Sequence, residues 1–262
     1  MSFEPDKPSP ARMYDYFLGG YHNFAIDRQA AEQIIALYPD AALSARTNRA
    51  FLRRAVAFLL AQGIDQFLDI GSGIPTAGNV HEIVHRVDPE ARVIYVDIDP
   101  VAVAYSQTIL KGTPNVAAIH GDVRRPDDLL AQAEVRSTID FRRPVAILTA
   151  AMLQFVPSDG EAQHALLTLL AAVPSGSYLV LSHVTNEYLP QQVRDEGEAV
   201  YARSTNPGKL RSRDQIAALF EGLDMVEPGL VLVPLWRPEG PDDLLLNAPE
   251  QSMFFAGVAR KP

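Results

Sequence analysis

The sequence predicts an α/β fold built on an open, mostly parallel sheet, and three observations carry that prediction. Val-, Ile- and Leu-rich runs alternate with helical stretches from residue 66 to residue 184, the pattern of parallel strands joined by helical crossovers. The stretch Gln66-Phe67-Leu68-Asp69-Ile70-Gly71-Ser72-Gly73 runs a buried-strand pattern straight into two glycines spaced by one residue. Aspartates close or follow three successive strand patterns, Asp69, Asp97 and Asp122, at the sheet end where such folds bind ligands.

The elements follow in order. Residues 1–10 carry Pro5, Pro8 and Pro10 and read as a mobile tail; residues 11–262 read as one domain. Within it, 11–62 is a helical lid or cap and 63–262 the α/β core. Asp27 is a candidate cap for a helix to about Tyr38. A longer helix, roughly Leu43 to Gln62, lines up Phe51, Leu52, Val56, Leu59 and Leu60, with Arg46, Arg49, Arg53 and Arg54 read as a solvated face and Gly63 as the stop. Then come strand 66–70, helix 76–87, strand 92–97, helix 100–110, strand 116–120, a short helix near 126–134, strand 145–149, helix 160–172 and strand 177–184. A helical insertion spans 186–211 and a helix 213–222 follows. The last two strands, 225–233 and 252–260, have no helix pattern between them, only a loop holding Trp236 and several prolines. They therefore end the sheet as an antiparallel hairpin, giving seven strands. No repeat or linker divides the chain.

A net charge of −9 argues against a protein that grips nucleic acid through its overall field. The absence of cysteine excludes disulfides, a thiolate nucleophile and cysteine-ligated zinc. Residues 1–10 lack an apolar signal region and no apolar run approaches twenty residues. The expectation is a cytoplasmic protein that spans no membrane.

Glycine at 71 and 73 permits positive φ and close approach of the backbone to a ligand. Asp97 follows Gly73 at close to the spacing from which a carboxylate accepts ribose hydroxyls, and Asp122 is placed to accept from an adenine amino group. Taken singly each aspartate is also an ordinary turn former or cap, Asp99 before Pro100 above all; together they indicate an adenosine site. A nicotinamide dinucleotide fingerprint needs a third glycine where Thr76 stands. A ligand without phosphates, such as S-adenosylmethionine, does not need it.

Asp69-Ile-Gly-Ser-Gly, Val96-Asp97-Ile98-Asp99 and Gly121-Asp122-Val123 resemble the cofactor motifs of the class I S-adenosylmethionine-dependent methyltransferases, whose Rossmann-like seven-stranded sheet ends in a reversed hairpin. More narrowly, the run from Arg12 through Tyr14, Asp15, Gly19, Gly20 and Asn23 to Phe24, Ile74-Pro75-Thr76 with Asn79 and His81-Glu82, and Glu227-Pro228-Gly229 resemble a bacterial family of methyltransferases of unassigned substrate. The resemblance implies S-adenosylmethionine as cofactor, with S-adenosylhomocysteine as product. It implies Asp69, Gly71 and Gly73 at the methionine end, Asp97 and Ile98 at the ribose, Asp122 and Val123 at the adenine and Ala150 under the transferring methyl. Arg12, Tyr14, Gly20, Asn23, Pro75, Thr76 and Asn79 are further candidates for cofactor contact. Where amino-nitrogen methyltransferases carry Asn-Pro-Pro-Tyr, this chain reads Thr149-Ala-Ala-Met-Leu-Gln154-Phe155, which argues against base methylation of nucleic acid through such a motif and leaves the acceptor open; the overall expectation is a methyltransferase acting on a small molecule.

Methyl transfer needs alignment and a general base only where the acceptor must lose a proton; Tyr14, His22, His183 and Glu187 are the candidates. A histidine in an apolar strand such as 179–184 is also an ordinary core residue. The N-terminal block reads either as a lid hinged at Gly19-Gly20 or as a helix packed on the sheet. Trp236 lines an acceptor pocket or anchors the core. Two rival functions are a cofactor-binding sensor without catalysis and a zinc hydrolase through His81-Glu82-Ile83-Val84-His85. No third metal ligand stands at a matching spacing. Oligomeric state is not legible.

Overall fold

The computed structural model describes residues 5–75 and 78–262; Thr76 and the first four residues of the expected tail lie outside the described residues. Three helices come first: α1 (Pro10–Phe17), α2 (Ala25–Leu37) and α3 (Ala41–Ala61). The core then runs β1 (Gln66–Ile70), α4 (Val80–His85), β2 (Arg92–Asp97), α5 (Pro100–Ile109), β3 (Val116–His120), α6 (Pro126–Ala131), α7 (Ala133–Thr138) and β4 (Ala146–Ala150). After a 3-10 turn at Leu153–Phe155 come α8 (Asp159–Ala172), β5 (Tyr178–Val184), α9 (Gln191–Tyr201), α10 (Arg213–Ala218), β6 (Asp224–Met225), β7 (Val231–Leu232) and β8 (Phe254–Arg260).

The sheet order is β3-β2-β1-β4-β5-β8-β6, with β7 also paired to β8. Strands β1 to β5 are parallel and β8 runs antiparallel to β5. Chain order reverses beside β1, which opens a crevice past the carboxyl ends of β1 and β4. Both faces are covered. Leu68 and Ile70 join Ile94, Ile147, Leu166 and Leu169 in one buried layer, while Phe67 joins Phe51, Leu59, Val93 and Trp236 in the other, as alternation along a strand requires. A third apolar cluster, with Met13, Phe17, Ala31, Ala45 and Val200, binds α1, α2, α3 and α9 to one another.

Several sequence expectations are revised. The tail ends early: Pro8, Ser9 and Pro10 are buried, the Ser9 N–H donates to Asp27 Oδ1 at 2.9 Å and the Pro8 carbonyl accepts from Thr205 N–H at 2.9 Å. Pro10 opens α1 because a first helical position needs no N–H. Asp27 sits in the first turn of α2 rather than before it, and its Oδ2 accepts from Phe24 N–H at 2.9 Å. The helix expected over 76–87 is only α4. The strand expected over 225–233 is broken into β6 and β7 around Glu227-Pro228-Gly229, where proline offers no N–H to the ladder; the seven expected strands thus become eight segments. The arginine face of α3 is not uniformly solvated. Arg46 and Arg53 are exposed, but Arg54 is buried and donates to the Val233 and Trp236 carbonyls at 2.8 and 2.9 Å.

At the far edge of the sheet β3 pairs only with β2. Side-chain amides cover its outer carbonyls: Gln107 Nε2 donates to Ala118 and Gln132 Nε2 to His120, at 3.0 and 2.9 Å. No helix among the described residues is long and apolar enough to cross a membrane.

Candidate active site

A single cavity opens past the carboxyl ends of the strands. Gly71, Gly73, Asp97, Ile98, Asp122, Val123 and Ala150 all line it, as does Tyr14 from α1. Ala151 and residues of α1, α2, α3 and α9 line the same cavity, and those helices wall the chamber beside the strand ends.

Local chemistry sets the strand ends. Gly71 and Gly73 have φ of +69° and +64°, the left-handed region that a side chain disfavours. A Cβ on Gly71 would stand 1.8 Å from Met152 Cγ. Gly71→Ala is therefore expected to lower unfolding free energy by roughly 2–4 kcal/mol, the sum of the φ cost and overpacking; urea titration of the two proteins measures it. Asp97 bridges the turn, its Oδ2 accepting from Gly73 N–H at 2.7 Å and its Oδ1 from Asp99 N–H at 2.9 Å. Burial pushes its carboxyl up to about 6 against those two hydrogen bonds. Asp69 is buried below the turn and does not line the cavity; burial raises it to about 7, with Arg49 opposing the shift and Asp97 adding to it. Asp122 is held by Arg124 in a bidentate pair at 2.6 to 3.0 Å, which keeps its carboxyl below the usual range although partial burial acts the other way.

Most of the N-terminal candidates serve this site from behind. Arg12 is buried and donates from Nε to Asp27 at 2.8 Å, from Nη1 to Asp99 at 2.6 Å and from Nη2 to the Lys7 carbonyl at 3.0 Å. Asp99 Oδ1 meanwhile caps α5 through Val101 N–H at 2.9 Å. Arg12 therefore ties α1 and α2 to the residue two beyond Asp97. Asp15 gathers the Gly-Gly turn: its Oδ2 accepts from His22 N–H and Asn23 Nδ2 at 2.9 and 2.8 Å, and a Cβ on Gly20 would meet Asp15 Oδ1 at 2.1 Å. Arg12, Gly20, His22, Asn23, Pro75 and Asn79 stand outside the cavity wall. Asn79 instead precedes α4 and accepts from Arg49 at 3.2 Å.

Of the four base candidates only Tyr14 reaches the cavity. Its hydroxyl donates to the Ala45 carbonyl at 3.1 Å and accepts from Asn48 Nδ2 at 3.0 Å; burial raises its pKa. His183 is fully buried. Its Nδ1–H donates to the Val184 carbonyl at 2.7 Å, so its Nε2 lone pair accepts from Arg211 at 2.7 Å. Burial, with Arg211 adding to it, lowers the ring to about 3, which fixes it neutral. The His22 ring packs between Tyr21 and Tyr105, and Glu187 accepts from Arg213 N–H at 2.7 Å. Trp236 is a core anchor, set edge-on to Phe51 and Phe58.

At the other motif, His81 Nδ1 bonds to the Tyr95 hydroxyl at 2.8 Å and His85 Nε2 to the Ala91 carbonyl at 3.0 Å. No group of three or more His, Asp or Glu side chains among the described residues could hold a metal ion.

Two wall features have no signature in a linear reading. Arg49, read as solvated, lines the cavity. Gln154 donates Nε2 to the Ala151 carbonyl at 2.8 Å, leaving Oε1 buried without a partner among the described residues.

The model of the S-adenosyl methyltransferase family matches residues 1–262. The chain belongs to that family. Among solved structures, a DUF574 family protein from Streptomyces avermitilis MA-4680 is 39% identical over 98% of each chain, with a TM-score of 0.92. A protein from Thermobifida fusca YX, provisionally assigned as a methyltransferase, is 38% identical over 97% of this chain and 95% of that one, with a TM-score of 0.90. Human N-acetylserotonin methyltransferase, solved in complex with S-adenosylmethionine, shares the fold at 15% identity over 95% of this chain and 62% of that one, with a TM-score of 0.50. No curated protein matches the chain. As an S-adenosyl methyltransferase the protein takes S-adenosylmethionine as cofactor, on the Rossmann-like class I fold expected from its motifs. The strand ends fit that group chemically. They offer a buried carboxylate with no cation bonded to it among the described residues, at Asp97, two apolar side chains flanking the cavity, Ile98 and Val123, and a glycine turn in which a Cβ on Gly73 would meet no described atom within 4 Å beyond its chain neighbours.

Proposed function

We propose that this S-adenosyl methyltransferase transfers a methyl group to a small-molecule acceptor, and one observation carries the reading. Residues of the strand-end site and of the chamber under α1, α2, α3 and α9 line one and the same cavity, with Ala150 and Ala151 in its wall. A protein that only sensed the cofactor would need no second chamber. Asp97 would hold the ribose hydroxyls, since each of its oxygens accepts one backbone hydrogen bond and has a lone pair left. Ile98 and Val123 would flank the adenine, and the Gly71 to Gly73 backbone would carry the methionine end. The bound cofactor supplies a methyl activated by its sulfonium, so the chain's part is alignment and exclusion of water.

None of the four candidate bases stands in the cavity as a free base. Tyr14 spends its proton on Ala45 and has its pKa raised, which keeps it a phenol. Its role is to fix the wall: Ser182 Oγ donates to Asn48 at 2.6 Å and itself accepts from Ala151 N–H at 2.9 Å, so Tyr14, Asn48 and Ser182 connect α1 to the turn after β4. The acceptor must then present its own lone pair.

Calorimetry with S-adenosylmethionine and S-adenosylhomocysteine tests the assignment, with NAD and zinc as controls. Asp97→Ala is expected to weaken both adenosine ligands at least tenfold, about 1.4 kcal/mol, while near-ultraviolet dichroism stays native. A folded wild type that binds neither ligand overturns the reading.

A further inference from the structure

The far wall of the chamber is the α9 insertion, and its pattern is informative. Val193, Gly197 and Tyr201 line the cavity at i, i+4 and i+8 of one helix, so they form a single stripe facing it. Gly197 is the centre of that stripe. Glycine is a poor choice in a helix interior, and nothing local demands it here: its φ is not positive, and apart from the adjoining backbone of its own helix no atom of the described residues lies within 4 Å of where a Cβ would stand. The space that its missing side chain leaves belongs to the chamber.

The make-up of the chamber wall bears on what could occupy it. The charged groups at that end are hydrogen-bonded within the protein, Lys209 to a carboxylate and Arg194 and Arg49 to neutral groups, with Arg194 Nε left without a partner among the described residues. Lys209 is held by both oxygens of Asp159 at 2.8 and 2.9 Å. Arg194 donates to the Asn186 carbonyl and to Gln191, and Arg49 to Asn79. Glu198 is exposed at the rim, beside Leu210 N–H at 3.5 Å. Most of the rest of the wall is aromatic and aliphatic, including Phe17, Leu37, Phe155, Leu189 and Phe254, with Ser44, Asn48 and Gln154 as polar exceptions. A charged acceptor would lose its hydration against that apolar surface.

We propose that the chamber takes an uncharged, largely apolar acceptor, and that Gly197 is the specificity-determining residue that keeps room for it; this rests on the methyl-transfer reading above. The acceptor lies against α9, with its nucleophilic lone pair directed at Ala150 and Ala151. On transfer the carbon to sulfur bond breaks with its electron pair left on sulfur, and the acceptor's lone pair forms the new bond. Any proton the acceptor then carries in excess leaves to water.

The test uses the full chain loaded with S-adenosylhomocysteine and three probes of one shape: 2-naphthol, 2-naphthoate and 2-naphthylmethylammonium, at about pH 7.5, where the three are neutral, anionic and cationic. Calorimetry is expected to show 2-naphthol binding at least tenfold more tightly than either charged probe. Gly197→Phe, which fills the notch from a position with open space, is expected to weaken 2-naphthol at least tenfold while S-adenosylhomocysteine affinity stays within twofold. Gly197→Ala, a smaller filling that favours the helix, is expected to raise the melting temperature and weaken 2-naphthol less. A charged probe that binds as well as 2-naphthol, no 2-naphthol binding to the loaded protein, or unchanged 2-naphthol affinity in Gly197→Phe overturns the proposal. Loss of S-adenosylhomocysteine binding by the folded wild type would instead count against the parent reading.

Discussion

Replacing Arg12 by leucine is expected to cost about 3–5 kcal/mol of unfolding free energy, the penalty for removing one partner of a buried ion pair. The guanidinium serves two carboxylates at once, Asp27 and Asp99, and all three side chains are almost fully buried. Removing it leaves two buried carboxylates without their cation, one in the first turn of α2 and the other capping α5. Urea denaturation reads the loss directly. Arg12→Lys is expected to recover only part of it, because a single ammonium cannot reproduce the fork. The double variant Arg12→Leu/Asp27→Asn should recover more, since one orphaned charge is gone. Amide exchange adds a second readout. Residues 9–24 should lose protection selectively, while β1, β4 and β5 keep theirs, because the cap is tied to the strand ends through Arg12. A variant with wild-type stability and protection would show that Arg12 is not the tie.

The second large effect is pH dependence centred on Asp69. Its carboxyl is raised to about 7 and that of Asp97 to about 6, both chiefly by burial, whereas an unfolded aspartate titrates near ~3.9. Between those values the unfolded chain has released protons that the folded protein keeps. Stability from these groups is thus complete below about pH 4, falls as pH rises and levels off above about pH 7. For Asp69 alone the shift corresponds to on the order of 4 kcal/mol at 1.36 kcal/mol per pKa unit. Asp69→Asn, which removes the charge and keeps the shape, is expected to melt several degrees higher than wild type at about pH 8 and close to it at about pH 4. Melting below wild type at the higher pH would refute the claim that Asp69 is held there as a costly buried charge. The carboxylates beneath the turn are thus stability given up at the ligand site.

Much of this architecture is legible in the chain because it is local. Buried parallel strands are continuous apolar runs, so 66–70, 92–97 and 116–120 can be read to the residue. The glycine turn and the aspartates at the strand ends are also short-range signals, and Asp97 closing on Gly73 is the contact their spacing suggests. What resists reading is set by tertiary contact. Pro8 and Pro10 look like tail residues until α2 and the segment after α9 are packed against them. Arg49 and Arg54 share a helix face with exposed Arg46 and Arg53, and only the loop through Val233 and Trp236 and the residues before α4 distinguish them. Strand β5 puts His183 at the ligand end of the sheet, but a pattern does not reveal that Arg211 occupies its ring nitrogen. The chamber wall on α9 carried one readable sign, a glycine centred between Val193 and Tyr201 at helical spacing, whose meaning depends on a cavity that other elements enclose.

The two margins of the sheet have a consequence for the molecule among its own copies. A sheet margin with free amides and carbonyls is a template on which another chain can add a strand. At β3 the carbonyls of Ala118 and His120 are taken by glutamine side chains, and at the opposite margin β6 and β7 offer only two residues each on either side of a proline. Neither rim presents an unbroken row of free carbonyls for another strand to pair with. Self-association by strand addition, with the fibrous aggregates it leads to, is thereby opposed at both ends of the sheet, by side-chain hydrogen bonds to carbonyls on one and by interruption on the other.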